Sequence, residues 1–348
     1  MLLYTDEYWN DVDAVSKCIP NIDKLRGRTI LITGATGMIG SAVVEILLHM
    51  NHTRNFHTKV ILAGRNRSRI AKRFQLLVNN GNFSFLYYDA DKGNLNTGTL
   101  KPDFIIHAAS PADPHSFATK PVETMLANIS GLVGLLDILK MNRSGRLLYL
   151  SSSEVYGKTG LSQPFSEGDY GYVDILNFRA CYPSAKRAAE TLCSSYRKEY
   201  GVDFVVARPG HVYGPSIKDD DSRVSAEFTR CAVNHRPLVL KSSGLQLRSY
   251  CYTLDCGSAI LSILLNGYSG NAYNISNKYS IVTIRKLAEL FSSAAHVPVI
   301  FKDSTNEEKK VFNMMDNSSL NSKQLENLGW KPCFDIQRGI IATLRYYR

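Results

Sequence analysis

The segment Thr33-Gly34-Ala35-Thr36-Gly37-Met38-Ile39-Gly40 constrains this 348-residue chain more than any other stretch. It follows an apolar run, Thr29 to Thr33, that reads as a buried strand, and it opens a helical pattern from Ile39 to Met50. Glycine at 34 permits the tight turn, glycine at 37 lets the backbone approach a diphosphate, and glycine at 40 lets the helix pack closely on the strand. Exposed amides at the positive end of that helix then bind the diphosphate. Gly34, Thr36, Gly37, Met38, Ile39 and Gly40 are therefore the expected seat of a dinucleotide cofactor. Strand, turn and helix in this order make the glycine spacing informative.

The rest of the chain keeps the same alternation as far as residue 214. Strands are expected at 59–63, 83–88, 103–107, 146–151 and 203–207. Helices are expected after residue 65, at 121–140 and at 182–200. Short strands alternating with helices specify an α/β fold, a Rossmann-type doubly wound parallel sheet. Residues 1–27 read as an N-terminal extension in which Tyr8, Trp9, Val12 and Val15 are spaced like an amphipathic helix. The dinucleotide domain is placed at 28–214, with 248–268 returning to it. A smaller mixed α/β substrate lobe is placed at 215–247 and 269–348, with helices expected at 223–234, 256–266, 283–293, 318–328 and 335–347.

Apolar stretches such as Ile340 to Leu344 are too short to span a bilayer, and the start Met1-Leu2-Leu3-Tyr4 is followed by acids rather than by a signal-peptide core. A cytoplasmic protein with no membrane partner is expected. The seven cysteines are odd in number and scattered, with no C-x-x-C, so neither a disulfide framework nor a metal site is expected. The formal charge of +10 is densest at Arg65, Arg67, Arg69, Lys72 and Arg73, where no aromatic interleaves. Nucleic acid is therefore not an expected partner, and anionic small molecules are.

An NAD site ordinarily ends its second strand with an acid that holds the ribose hydroxyls. Here that strand runs into Gly64-Arg65-Asn66-Arg67. Arg65 and Asn66 are candidate cofactor residues, and the guanidiniums at 65 and 67 tilt the choice between NAD and NADP slightly toward NADP.

Tyr182-Pro183-Ser184-Ala185-Lys186 puts a tyrosine and a lysine on one helical face, and Ser151-Ser152-Ser153-Glu154 leaves a strand at the ligand-binding end of the sheet. Together with T-G-A-T-G-M-I-G, H-A-A-S-P and A-R-P-G-H-V-Y-G-P, these motifs resemble the extended short-chain dehydrogenase/reductase family. Within it the sequence is most similar to the UDP-glucuronate decarboxylases, over His107 to Pro114, Glu167 to Glu190, Asp220 to Val224 and Arg248 to Asp255. The resemblance implies that Tyr182, helped by Ser152, takes the proton of a sugar 4-hydroxyl while hydride passes to the nicotinamide. Lys186 would hold the cofactor ribose and lower the tyrosine pKa, and Ser153 with Glu154 would direct the fate of the 4-keto sugar. It also assigns Asp89 to the adenine, Ala108 and Ala109 to the wall under the ribose, and Ala90, Ser110 and Pro209 to the cofactor. Arg223 and Arg248 would grip the diphosphate of a nucleotide-sugar substrate, with His211 and Tyr252 beside the sugar.

The decarboxylases usually carry asparagine where this chain has His211, an acidic pair where it has Pro183-Ser184, and proline–isoleucine–glycine within the stretch occupied by Val173 to Arg179. The expected activity is thus decarboxylase-like and of use in polysaccharide biosynthesis, with a nucleotide-sugar epimerase or 4,6-dehydratase as the alternative. A consuming NADPH-dependent keto-sugar reductase and a non-catalytic dinucleotide sensor are the further readings. The family implies a homodimer joined through the helices near 121–140 and 182–200.

Overall fold

The computed structural model describes residues 2–74, 81–93, 100–303, 305 and 315–347. Its strands are β1 (Thr29–Thr33), β2 (Lys59–Gly64), β3 (Phe83–Tyr87), β4 (Phe104–His107), β5 (Arg146–Leu150), β6 (Asp203–Pro209) and β7 (His211–Tyr213). Six more follow: β8 (Leu238–Leu240), β9 (Leu247–Tyr252), β10 (Ala272–Ile275), β11 (Ile281–Thr283), β12 (Val299–Phe301) and β13 (Asn317–Ser318). The helices are α1 (Asp6–Lys17), α2 (Met38–Arg54), α3 (Arg67–Phe74), α4 (Pro114–Thr119), α5 (Pro121–Asn142) and α6 (Cys181–Tyr200). Beyond them come α7 (Val224–Val233), α8 (Thr253–Asn266), α9 (Ile284–Ala295), α10 (Lys323–Asn327) and α11 (Ile336–Tyr346).

Seven strands form one parallel sheet in the order β10-β6-β5-β4-β1-β2-β3. The central strands are nearly continuous apolar runs, such as Ile30-Leu31-Ile32 and Leu147-Leu148, because helices cover both faces. One core lies between the sheet and α1, α2 and α8, and a second between the sheet and α5 and α6. The strand order reverses between β1 and β4, which opens a crevice at the carboxyl ends of both strands.

The smaller lobe is built on β9, which pairs with β7, β11 and β13. A parallel pair, β8 with β12, stands apart. Two expectations need correction. Ala272–Ile275, expected in the lobe, is the edge strand of the main sheet, where Tyr273 and Ile275 are buried and Ile275 lies opposite Pro209. The helix expected at 318–328 is only α10: Asn317–Ser318 pair with β9 instead, and the Asn321 side chain accepts the Lys323 amide to start the helix late.

The N-terminal extension does form a helix. Thr5 caps α1, and Tyr8, Val12 and Val15 are fully buried. The basic run after β2 is not wholly a solvated face. Arg73 turns inward to the buried Glu45 carboxylate at 2.9 Å and to the Ser216 hydroxyl at 2.8 Å, while Tyr4 and Tyr8 also donate to Glu45. Helix α5, 22 residues long, has the length and apolar composition to cross a membrane. Here its apolar residues Leu132, Leu135, Leu136 and Leu139 are buried in the core shared with α6.

Candidate active site

The loop after β1 is a cradle that only glycine could line. Gly34 has φ of +69°, and a Cβ there would stand 2.5 Å from the Ala108 carbonyl carbon. A Cβ on Gly40 would collide with the Gly34 carbonyl. The Gly37 amide donates to Gly34 at 3.0 Å, and α2 starts at Met38 with no side chain capping it. First-turn amides are thereby left for an anion at the positive end of a 17-residue helix. These residues fit the diphosphate of a dinucleotide.

Around this cradle the structure gathers most of the expected cofactor residues. Thr36 and Ile39 belong to the loop and the first turn of α2. Ala108 and Ala109 form its far wall, the Ala109 amide donating to the Thr33 hydroxyl at 3.2 Å. Ser110 follows them and donates to the Pro111 carbonyl. Asp89 and Ala90 lie just past β3, where Asp89 is buried and accepts the Asp91 amide. Pro209 ends β6. Past the end of β2, Asn66 accepts the Arg69 amide near the start of α3, and Arg65, 68% exposed, stands 3.5 Å from Asp91.

The catalytic group assembles where β5 meets α6. Ser152 and the turn Ser153–Tyr156 leave β5, with Ser153 buried and the Ser152 hydroxyl accepting the Glu154 amide at 3.2 Å. Tyr182 is buried in the first turn of α6, its ring stacked on Phe117 with centroids 4.6 Å apart and its hydroxyl close enough to Ser152 for that side chain to lower its pKa. Lys186 is buried one turn on. Its ammonium donates to the Leu150 carbonyl at 2.6 Å and lies 5.6 Å from the Tyr182 ring centre.

Burial, and then the Glu154 charge, push the Tyr182 pKa up, while Ser152, Arg223 and Arg179 pull it down. Burial also lowers Lys186 to about 7, partly opposed by Glu190. The lysine is thus itself half titrated near neutrality, and the cations felt most by the tyrosine are the arginines.

Arg223, Arg248 and His211 come together on the substrate side. Arg223 forms a fork to Asp221 and reaches within 3.8 Å of the Met38 sulfur. Arg248 is buried on β9 and donates to the Leu247 carbonyl. His211 lies opposite Tyr250, and burial with both arginines lowers its pKa to about 3, so it works as a neutral imidazole. Its Nδ1 is buried without a hydrogen-bond partner among the described residues. Tyr252 does not join them. Two residues further along β9, it packs on Phe334 at 4.5 Å and beside Tyr213, in the core under the C-terminal helix.

Three contributors were missed in the sequence. Arg179 grips Glu154 with two bonds of 3.0 Å, and its guanidinium lies over the Phe117 ring that stacks on Tyr182. Phe117 is the second. The third is the pair Arg208 and Glu190, buried beneath the site, with Glu190 also accepting from the Ser151 hydroxyl at 2.5 Å. A lone arginine in the apolar run of β6 was the one available signal, since a buried guanidinium needs a carboxylate.

Comparisons with known proteins agree with this geometry. UDP-glucuronic acid decarboxylase 1 of Xenopus tropicalis is 30% identical over 328 residues, covering 92% of this chain and 72% of that protein. UDP-glucuronic acid decarboxylase 3 of Arabidopsis thaliana is 30% identical over 93% of this chain and 88% of its own. Among solved structures, a dTDP-glucose 4,6-dehydratase of Streptomyces venezuelae with NAD bound superposes with a TM-score of 0.78 at 23% identity, covering 92% and 97% of the two chains. A UDP-glucuronic acid 4-epimerase of Bacillus cereus, solved with UDP-glucuronic acid and NAD, gives 0.76 at 23% identity over 91% and 98%. Residues 30–276 match the NAD dependent epimerase/dehydratase family, and the chain belongs to that family.

Proposed function

We propose that this enzyme decarboxylates a UDP-linked uronic acid, UDP-glucuronate first, through a 4-keto sugar. The observation that carries the reading is the clustering of Tyr182, Ser152 and Glu154 beside two guanidiniums, Arg223 and Arg248, with Glu154 positioned by two hydrogen bonds from Arg179. Relatives with that activity and about 30% identity support it.

A bound nicotinamide dinucleotide supplies a reversible acceptor for the hydride of sugar C4. Tyr182 is placed to take the proton of the 4-hydroxyl, and the Ser152 hydroxyl to hold the developing oxyanion. Oxidation at C4 makes the sugar a β-keto acid, so the C5–C6 bond breaks with its electron pair entering the ketone as carbon dioxide leaves. Protonation at C5 and re-reduction at C4, with Tyr182 returning its proton to the 4-oxygen, would give a pentose without net redox change. Arg223 and Arg248 bind the diphosphate, since a guanidinium fork matches phosphate oxygens. Neutral His211 offers a hydrogen bond where a charge would be costly.

The cofactor preference, the dimer and the compartment belong to the same proposal. Arg65 and Arg67 support NADP, whereas the solved relatives carry NAD. Val122, Met125 and Leu126 leave an apolar strip exposed on α5, which supports a homodimer through α5 and α6. Seven free cysteines support a cytoplasmic location. Incubation with UDP-glucuronate and each dinucleotide, followed by NMR and mass spectrometry, tests the main reading. Release of carbon dioxide with a UDP-pentose supports it; a product of unchanged mass, or one short of water, transfers the assignment to an epimerase or dehydratase.

A further inference from the structure

We propose that Cys18 and Cys333 form a reversible disulfide that latches the N-terminal helix to the C-terminal lobe. Cys18 caps the end of α1 and Cys333 lies in the loop before α11. Although 315 positions separate them, their Sγ atoms are 2.8 Å apart, and both thiols also face the Ala14 carbonyl, at 3.6 and 3.9 Å. A disulfide needs a separation of about 2.05 Å, so the sulfurs have to approach by less than about 1 Å. Both are partly exposed, whereas Cys181, Cys193, Cys251 and Cys256 are buried.

Bonds that do not involve sulfur hold the two segments in register. The Cys333 and Phe334 amides donate to the buried Asp255 carboxylate at 2.8 and 2.9 Å. Arg338 and Tyr346 of α11 reach Asp11 of α1 at 3.0 and 2.8 Å, and the Leu3 amide donates to the Tyr346 carbonyl. The thiols are therefore preorganised for each other.

The oxidant is a small-molecule disulfide. The Cys18 thiolate attacks one of its sulfurs, forming a mixed disulfide and releasing one thiol. Cys333 then loses its proton to solvent and attacks the Cys18 sulfur, expelling the second thiol, so two protein thiols are oxidised as one small disulfide is reduced. Burial and the neighbouring Cys18 raise the Cys333 pKa, which makes closure faster at higher pH. The bond leaves Tyr182 and Lys186 untouched and closes a loop of nearly the whole chain.

The test treats the purified full-length protein with oxidised glutathione, alkylates the remaining thiols and maps the unreduced peptides. The expected result is one dominant Cys18–Cys333 linked peptide, two fewer free thiols, and a Tm higher by about 5 °C that a dithiol reverses. The Cys18→Ser and Cys333→Ser variants should each take one glutathione on the remaining partner and show no rise in Tm. Glutathione retained at Cys18 or Cys333 of the unmutated protein, or a link through Cys231 instead, overturns the proposal.

Discussion

Replacing Arg179 by alanine should cost this enzyme about two orders of magnitude in kcat and leave KM nearly unchanged. The side chain does two things at once. Its two nitrogens hold both Glu154 oxygens at 3.0 Å, and its plane covers Phe117, against which Tyr182 stacks. Arg179 and Glu154 are 12% and 20% exposed, so solvent screens the pair only in part. Unit charges about 4 Å apart attract by about 4 kcal/mol at an effective dielectric near 20. Desolvation offsets roughly half of that, leaving about 2 kcal/mol. The cation–π contact adds about 0.5–1 kcal/mol. If this positioning is expressed at the transition state, about 3 kcal/mol corresponds to about a hundredfold in rate. Loss of the guanidinium also removes a charge that lowers the Tyr182 pKa while the opposing Glu154 charge remains. Product formation from a UDP-uronate gives kcat and KM, and thermal unfolding reports the fold. Arg179→Lys should recover part of the loss, and added guanidinium ion should rescue the alanine variant. A folded Arg179→Ala enzyme with kcat within twofold of the parent would refute the reasoning, as would a pure rise in KM, which assigns Arg179 to substrate binding.

Other residues make equally definite expectations. Tyr182→Phe should lose turnover by at least about a thousandfold and still bind dinucleotide by calorimetry, since the phenol is the proposed base and its ring fills the same space. Gly40→Ala should abolish dinucleotide binding, because its Cβ meets the Gly34 carbonyl; binding at the parent affinity would show that the cradle has been misread. Lys186 carries a pH signature. Its pKa falls from 10.5 to about 7 on folding, so between those values the unfolded chain holds a proton that the folded chain has lost, and stability rises with pH across that window. Thermal melts from pH 7 to 9.5 should show that rise weakened in Lys186→Met, and equal slopes for the two proteins would count against a buried amine. Arg65→Ala should weaken NADP binding about tenfold relative to NAD, an order that equal losses for both cofactors would contradict.

What could be read in the sequence was local. The loop from Gly34 to Gly40 and the pair Tyr182 and Lys186 lie within one turn or one helix face, so spacing alone places them. The site's supports are pairings between distant segments. Arg179 and Glu154 are 25 residues apart, and Arg208 and Glu190 are 18 apart. Arg73 shows the same limit: among five basic residues it reads as solvated, and only the folded chain brings it to Glu45 of α2. Tyr252 shows the opposite error. It shares a face of β9 with Arg248, but four residues of strand span about 13 Å, which carries it out of the site and under Phe334.

The tyrosine at the centre of the site is an unready base in the chain taken alone. Burial that shields the reaction from water disfavours the phenolate, and the Glu154 charge beside it disfavours it further. Ser152 and the two arginines oppose this without reversing its direction. The same burial acts on Lys186 in the opposite sense, so that its own proton is held weakly. The positive charge of an oxidised nicotinamide would act on Tyr182 in the same sense as Arg223 and Arg179, lowering its pKa. The same cofactor also meets an amine that an anionic ribose-diphosphate would return toward its charged form. Occupation of the glycine cradle would therefore favour proton abstraction by Tyr182.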